Sequence, residues 1–340
     1  MLKRPPLLLV SGKPGAGTTT VARSLEHGLR AASGEVAWID RVPLGTDWGA
    51  LLVRAVPGLG SRRADAALLG LGDAGGVIIE MLAVLDAVDS GSDVVWDVGD
   101  VDRLLRGWAF IEFLTCFLPD MVNESLVGPG QASAGEEFDV TLAARVCEIG
   151  ALLASRATRT CLVVAPNHGV ESFVTDCEAR VSLLGGAWDS VVVNQVPAVD
   201  GGWPEPWAGR RRDRLATLTA WRGGVAQVPM LVEEPGDSAA YEAISERLAL
   251  VSPCSRPDDV VVQAHDDGRY SLRVHLPMVP PTGLRAGVLG TTLVIDAMGL
   301  RRYVPLAPVL QRCEVSGAGM RGDTLVVRFE RTPALWPEAS

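Results

Sequence analysis

Six short apolar runs recur through the first two thirds of the chain: Leu7-Leu8-Leu9-Val10, Val36-Ala37-Trp38-Ile39, Asp93-Val94-Val95-Trp96, Cys161-Leu162-Val163-Val164, Val191-Val192-Val193 and Val225-Ala226-Gln227-Val228. None alternates apolar with polar residues as a half-solvated strand would, so each predicts a buried strand covered on both faces. Helical periodicity lies between them. Residues 19–31 place Val21, Leu25 and Leu29 on one face, and residues 77–87, 141–154 and 213–221 follow similar patterns. Buried strands alternating with helices predict an α/β fold with a doubly wound, mostly parallel sheet. Ligands of such sheets bind at the carboxyl ends of the strands. Asp40, Asp97, Asn194 and Pro229 each follow directly on an apolar run and so fall at such ends.

The pattern changes near Pro253-Cys254-Ser255-Arg256-Pro257-Asp258-Asp259, which reads as a linker. Beyond it, short strands are expected at 260–262, 270–276, 289–295, 302–305 and 324–329, punctuated by Pro277, Pro280-Pro281, Gly290 and Gly322. Short strands between frequent turns predict a small β-sandwich. The expected organisation is therefore a nucleotide-binding α/β domain over 1–252, a linker over 253–259 and an all-β domain over 260–332.

Composition narrows the class. The chain has 340 residues, 48% hydrophobic and 21% charged, which fits a globular protein. A net charge of −10 argues against nucleic acid as a partner. The basic knot Arg210-Arg211-Arg212-Asp213-Arg214 reads as a solvated helix start. Six scattered cysteines without a C-x-x-C pair argue against a disulfide framework and a zinc site of the usual spacing, and predict a reduced, cytoplasmic setting. The N-terminal stretch before the first strand is too short for a signal peptide. The most apolar segment, 104–118, is interrupted by Arg106 and Glu112 and is too short to span a bilayer. Its portion 108–118 is expected in a core or dimer interface, with a client groove as the other reading.

The chemistry concentrates in Ser11-Gly12-Lys13-Pro14-Gly15-Ala16-Gly17-Thr18-Thr19-Thr20. Strand, glycine-rich turn and helix in that order make a phosphate-binding loop, whose backbone N–H groups and helix N-terminus face anionic oxygens. Gly12, Gly15 and Gly17 permit close approach, and Ala16, Thr18 and Thr20 complete the cradle. Thr19 stands where a hydroxyl meets Mg²⁺, and Asp97 is placed as the carboxylate near that metal. Asp40 could orient a water. The usual loop lysine is replaced by Thr18, which removes a cation from beside the β/γ-phosphates and predicts slow hydrolysis. The chain has only two lysines, Lys3 and Lys13, and one of them lies in this loop.

This order of marks resembles the ArsA-like ATPases, the arsenite-pump and tail-anchored-protein-targeting family. Their deviant Walker A loop reads K-G-G-x-G-K-[ST]. Lys13-Pro14-Gly15-Ala16-Gly17-Thr18-Thr19 follows that frame except at Pro14 and Thr18. Asp40 matches the first residue of switch I and Asp97 that of switch II, while the rest of both motifs differs. Asn194-Gln195 matches the family's adenine contact, and Pro229 to Gly236 loosely matches a segment near the base. The segments 270–277, 292–295 and 322–329 resemble the α-crystallin-like (small heat-shock) domain that some members carry at the C-terminus.

The resemblance implies ATP or ADP with Mg²⁺ as ligands. It implies a homodimer, or a heterodimer with an ArsA-like paralogue, in which Lys13 crosses to the partner's nucleotide. It also implies hydrophobic or membrane-protein clients, met in the cytoplasm or at the membrane periphery. Two other classes remain open at this point. Gly-x-Gly-Thr-Thr-Thr loops also resemble those of some cytidylate kinases, and a non-enzymatic scaffold would keep a vestigial site.

Overall fold

A computed structural model describes residues 7–40, 74–126, 134–197, 204–221, 225–231, 238–248 and 260–332. The linker expected at 253–259 and the segment following Asp40 lie outside the described residues.

Six strands form one parallel sheet: β1 (Leu7–Gly12), β2 (Val36–Ile39), β3 (Asp93–Asp100), β4 (Thr158–Val164), β5 (Ser190–Val196) and β6 (Val225–Pro229), in the order β2-β3-β1-β4-β5-β6. The helices are α1 (Thr18–Ser33), α2 (Ala74–Asp89), α3 (Val101–Leu126), α4 (Ala134–Ala154), α5 (Val170–Leu183), α6 (Glu205–Trp221) and α7 (Ser238–Arg247).

The unbroken apolar runs are explained by two cores, one on each side of the sheet. Leu7 and Leu9 of β1 join a cluster with residues of α2, α3 and α5, whereas Leu8 and Val10 join one with α1 and α7. The same split divides Leu162 and Val164 of β4 from Cys161 and Val163. Successive side chains of a strand point to opposite faces, so burying both favours apolar residues at consecutive positions.

The C-terminal strands form two antiparallel sheets. One has the order β12-β13-β8-β7 and the other β11-β10-β9, with β7 (Val260–Ala264), β8 (Tyr270–His275), β9 (Arg285–Leu289), β10 (Thr292–Ala297), β11 (Leu300–Pro305), β12 (Cys313–Arg321) and β13 (Thr324–Arg331). Leu272, Val274, Leu293, Ile295, Leu325, Val327 and Phe329 are buried between them. The expected strand over 289–295 is corrected to a hairpin. Leu289 pairs with Thr292 across Gly290-Thr291, and Gly290 has φ 57°. A two-residue turn of this kind needs positive φ, which glycine adopts without a Cβ penalty.

The two parts share a packed boundary built on α3. Trp108 and Ile111 are buried in the α/β core. Further along, Phe113 and Phe117 pack edge-on against Tyr303 of β11, at 5.6 and 5.4 Å between ring centroids. The Ser182 hydroxyl donates to the Pro277 carbonyl at 2.9 Å. The apolar segment flagged at 108–118 thus enters the core with one side and meets the β-sandwich with another. Among the described residues no helix is long and apolar enough to cross a membrane.

Candidate functional site

The loop joining β1 to α1 is tied down from both sides. The Lys13 amide donates to Val163 O at 3.2 Å, and the Ala16 amide turns back to Lys13 O at 3.0 Å. A Cβ on Gly12 would lie 2.1 Å from Val163 O, so only glycine lets β1 and β4 approach this closely. Gly17 caps α1 with φ 78° and ψ 38°, and a Cβ there would lie 2.3 Å from the Asn194 side-chain nitrogen. Gly15, at φ 80°, faces open space. Both positive φ values turn the loop backbone toward the N-terminus of α1, where unpaired helix N–H groups favour an anion.

Asn194 and Gln195, at the end of β5, brace this loop. Asn194 Nδ2 donates to Ala16 O and Gln195 Nε2 to Gly15 O, each at 2.9 Å. Gln195 holds φ 58° to do so, a conformation that costs a non-glycine residue on the order of 1 kcal/mol. Pro229 stands beside them, paired with Val196 at the end of β6.

Thr19 Oγ1 donates to Asp97 Oδ2 at 2.6 Å. β3 continues to Asp100, so Asp97 lies within the strand and not at its end as expected; it is fully buried, and its other oxygen accepts the Gly99 amide at 3.1 Å. Val10 of β1 pairs with Asp97 of β3, so the strand register itself sets this carboxylate beside the loop. Thr18 is buried, with Oγ1 3.1 Å from the Cβ position of Gly12. Thr20 is half-buried in the first turn of α1, where its carbonyl accepts the Ser24 hydroxyl at 2.8 Å. Asp40 is exposed one residue beyond Ile39, which pairs with Trp96, and therefore stands level with Asp97 one strand away.

Lys13 is exposed, and its ammonium lies 5.4 Å from the ring centroid of Phe173 on α5. A hydroxyl and a buried carboxylate at hydrogen-bond distance, next to a backbone cradle open at Gly15, fit a magnesium–nucleotide ligand. The donors come from the chain's own Thr19, Asp97 and loop amides.

Three features escaped the sequence reading. Glu80 of α2 is buried and accepts Arg103 Nη2 at 2.6 Å, Arg103 Nη1 at 2.8 Å and Trp96 Nε1 at 3.2 Å. It thereby anchors the strand-to-helix junction that follows Asp97. Its signal was a lone carboxylate within the apolar run 77–85. Phe173, the partner of Lys13, carried no local signal. Arg211 corrects the solvated reading of the basic knot. It is buried, stacks on Trp207 at 4.6 Å and bonds Asn167 Oδ1 at 2.5 Å. Burial, with Arg214 nearby, lowers its pKa from the ordinary arginine value.

Residues 267–329 match the model of the HSP20-like domain found in ArsA. The chain is 31% identical over 197 residues to Protein Rv2184c of Mycobacterium tuberculosis, a match covering 52% of this chain and 47% of that protein. It is also 31% identical over 208 residues to the Streptomyces coelicolor protein SCO2128, covering 60% of this chain and 52% of that protein. The chain thus spans about half the length of the curated relatives it matches, and neither name states an activity. Residues 267–329 are an HSP20-like domain of the type found in ArsA, and the six-stranded parallel sheet ahead of them fits an ArsA-like P-loop core.

Proposed function

We propose that the chain binds ATP or ADP with Mg²⁺ at the β1–α1 loop and hydrolyses ATP weakly or not at all by itself. The observation that carries this reading is the 2.6 Å bond from Thr19 Oγ1 to Asp97 Oδ2, beside a loop whose lysine position holds Thr18. When bound, the metal supplies the charge that offsets the phosphates. Thr19 and Asp97 orient that end of the ligand, and the amides of residues 15–19 hold the phosphate oxygens. Asn194 and Gln195 keep the loop in shape. Asp40 is the group available to orient a water.

The Lys13 ammonium rests on α5 and is solvent-accessible, which favours a role toward a second subunit, either another copy or an ArsA-like paralogue. Hydrophobic or membrane-protein clients, handled in the cytoplasm, complete the reading. The test is titration calorimetry of the full chain with ADP and ATP in Mg²⁺, alongside steady-state turnover. Binding that Asp97→Asn weakens, with turnover near background, is the expected result. Absence of binding sinks the proposal. With a paralogue present, Lys13→Ala should lower turnover by the pair, and unchanged turnover removes the trans role.

A further inference from the structure

Two adjoining hollows cross the outer face of the β11-β10-β9 sheet. One, of about 450 Å³, lies between α3 and the β10–β11 hairpin and is lined by Arg106, Phe110, Phe113, Arg301 and Tyr303 among others. The second, of about 340 Å³, is lined by Arg285, Gly287, Val288, Leu289 and Val294. Both include Asp296 and Arg301, so they form a single groove running from α3 to the edge strand β9.

The strand periodicity builds this groove. On β11, Leu300, Arg302 and Val304 are buried, so Arg301 and Tyr303 point outward. Asp296 pairs in register with Arg301 on one side and Arg285 on the other. Its carboxylate accepts Arg301 Nε at 2.9 Å. One carboxylate therefore serves a cross-strand row holding two guanidinium groups. Arg106 adds a third cation from α3, on the same helical stripe as Phe110 and Phe113. Among the described residues neither Arg106 nor Arg285 makes an ion pair.

Apolar surface accompanies this charge. Leu289 is 60% exposed at one end, and the Phe113–Tyr303 ledge stands at the other. A Cβ on Gly287 would meet nothing within 4 Å, so the floor between them is open.

A cationic groove with apolar ends, on a chain of net charge −10, is complementary to a ligand of opposite local sign. We propose that this groove docks an acidic peptide segment of a partner protein. Carboxylates would meet Arg106, Arg285 and Arg301, and aliphatic side chains would seat at Leu289 and against the Phe113–Tyr303 ledge. The site is separate from the β1–α1 loop and does not depend on nucleotide binding there.

The probe is a short fluorescein-labelled peptide of alternating leucine and glutamate, titrated with the full chain and followed by anisotropy. Binding should weaken by about tenfold in the Arg106→Glu/Arg285→Glu variant and in Gly287→Phe, and should fall with added salt. Circular dichroism and thermal midpoints of both variants should match the parent, which separates loss of the site from loss of the fold. A glutamine-for-glutamate peptide should bind more weakly.

Three outcomes overturn the proposal. The first is no binding, or equal binding by both peptides and all variants. The second is arginine-dependent self-association in sedimentation without peptide, which assigns the face to a second copy. The third is arginine-dependent binding to phosphatidylglycerol vesicles in the absence of peptide binding, which assigns it to a membrane surface.

Discussion

Thr19 Oγ1 donates to Asp97 Oδ2 at 2.6 Å, from a residue in the first turn of one helix to the interior of a neighbouring strand. The pair is set by the sheet, because β1 and β3 are adjacent and Val10 pairs with Asp97. A hydrogen bond to a charged acceptor contributes about 1.5–3 kcal/mol. Asp97→Asn keeps the volume and removes the charge that a Mg²⁺-bound ligand requires. We expect it to fold with parent-like circular dichroism and to weaken Mg²⁺-dependent nucleotide binding by about tenfold or more. Titration calorimetry with and without Mg²⁺ checks this. An unchanged affinity would mean that the carboxylate serves only to anchor α1.

Glu80 makes a different prediction, about stability. Its buried carboxylate satisfies two Arg103 nitrogens and the Trp96 indole nitrogen together. Removing one partner of a buried pair leaves a charge uncompensated and costs about 3–5 kcal/mol. Arg103→Met strips the buried Glu80 carboxylate of its guanidinium partner, leaving the Trp96 N–H, and should therefore lower the thermal midpoint strongly. Glu80→Gln should cost less, because the Arg103 guanidinium it leaves behind is partly exposed and can reach water. Differential scanning calorimetry of the two variants decides the order.

The contrast between Asp97 and Glu80 explains how far the sequence could be read. The sheet was legible because its strands are short, mainly apolar runs; the four central strands are buried on both faces, whereas the edge strands β2 and β6 are covered only in part. Asp97 was legible because it ends such a run. Glu80 was not, since its partner Arg103 lies 23 positions away and the pairing depends on how α2 packs on β3. The Lys13–Phe173 contact, 160 positions apart, shares that limit. α3 is a further case. Its apolar residues surround the helix, and no periodicity could tell which side met α2 and α4 and which met β11. In the β-sandwich, β12 was missed because its exposed face and Gly317 and Gly319 dilute the alternation.

The boundary between α3 and β11 carries a pH dependence. Burial pushes the Glu112 carboxyl up to about 8 from 4.5, against the opposing pull of Arg302 and the backbone at Tyr303. One of its oxygens, Oε2, is closed from solvent without a hydrogen-bond partner. The folded chain therefore holds a proton at Glu112 that the unfolded chain releases above 4.5. Stability contributed here is fully present at low pH and is lost as pH rises from about 4.5 toward 8. One such proton gives a slope of at most about 1.4 kcal/mol per pH unit within that window. Urea unfolding across the window should show the decline, and Glu112→Gln should flatten it. A Gln variant with the same decline as the parent assigns the effect to other groups.

Thr18 offers the most direct test of why hydrolysis should be slow. It is buried at the lysine position of the loop, and no ammonium reaches that position from Lys13, which lies over Phe173. Cations aimed at developing charge on a transferring phosphoryl group are among the larger contributions to catalysis, and one such group is worth about 10²–10³ in rate. A lysine at this position has to carry its stem past the Gly12 backbone, where Thr18 Oγ1 is already 3.1 Å from a Cβ position. Gly15, in the same loop, faces open space. Thr18→Lys should therefore raise nucleotide affinity and lift ATP turnover above the parent by about tenfold or more. Turnover that stays at background while affinity rises would place the remaining defect at Asp40 and its surroundings. Affinity and turnover both unchanged would mean that the loop does not hold a nucleotide phosphate.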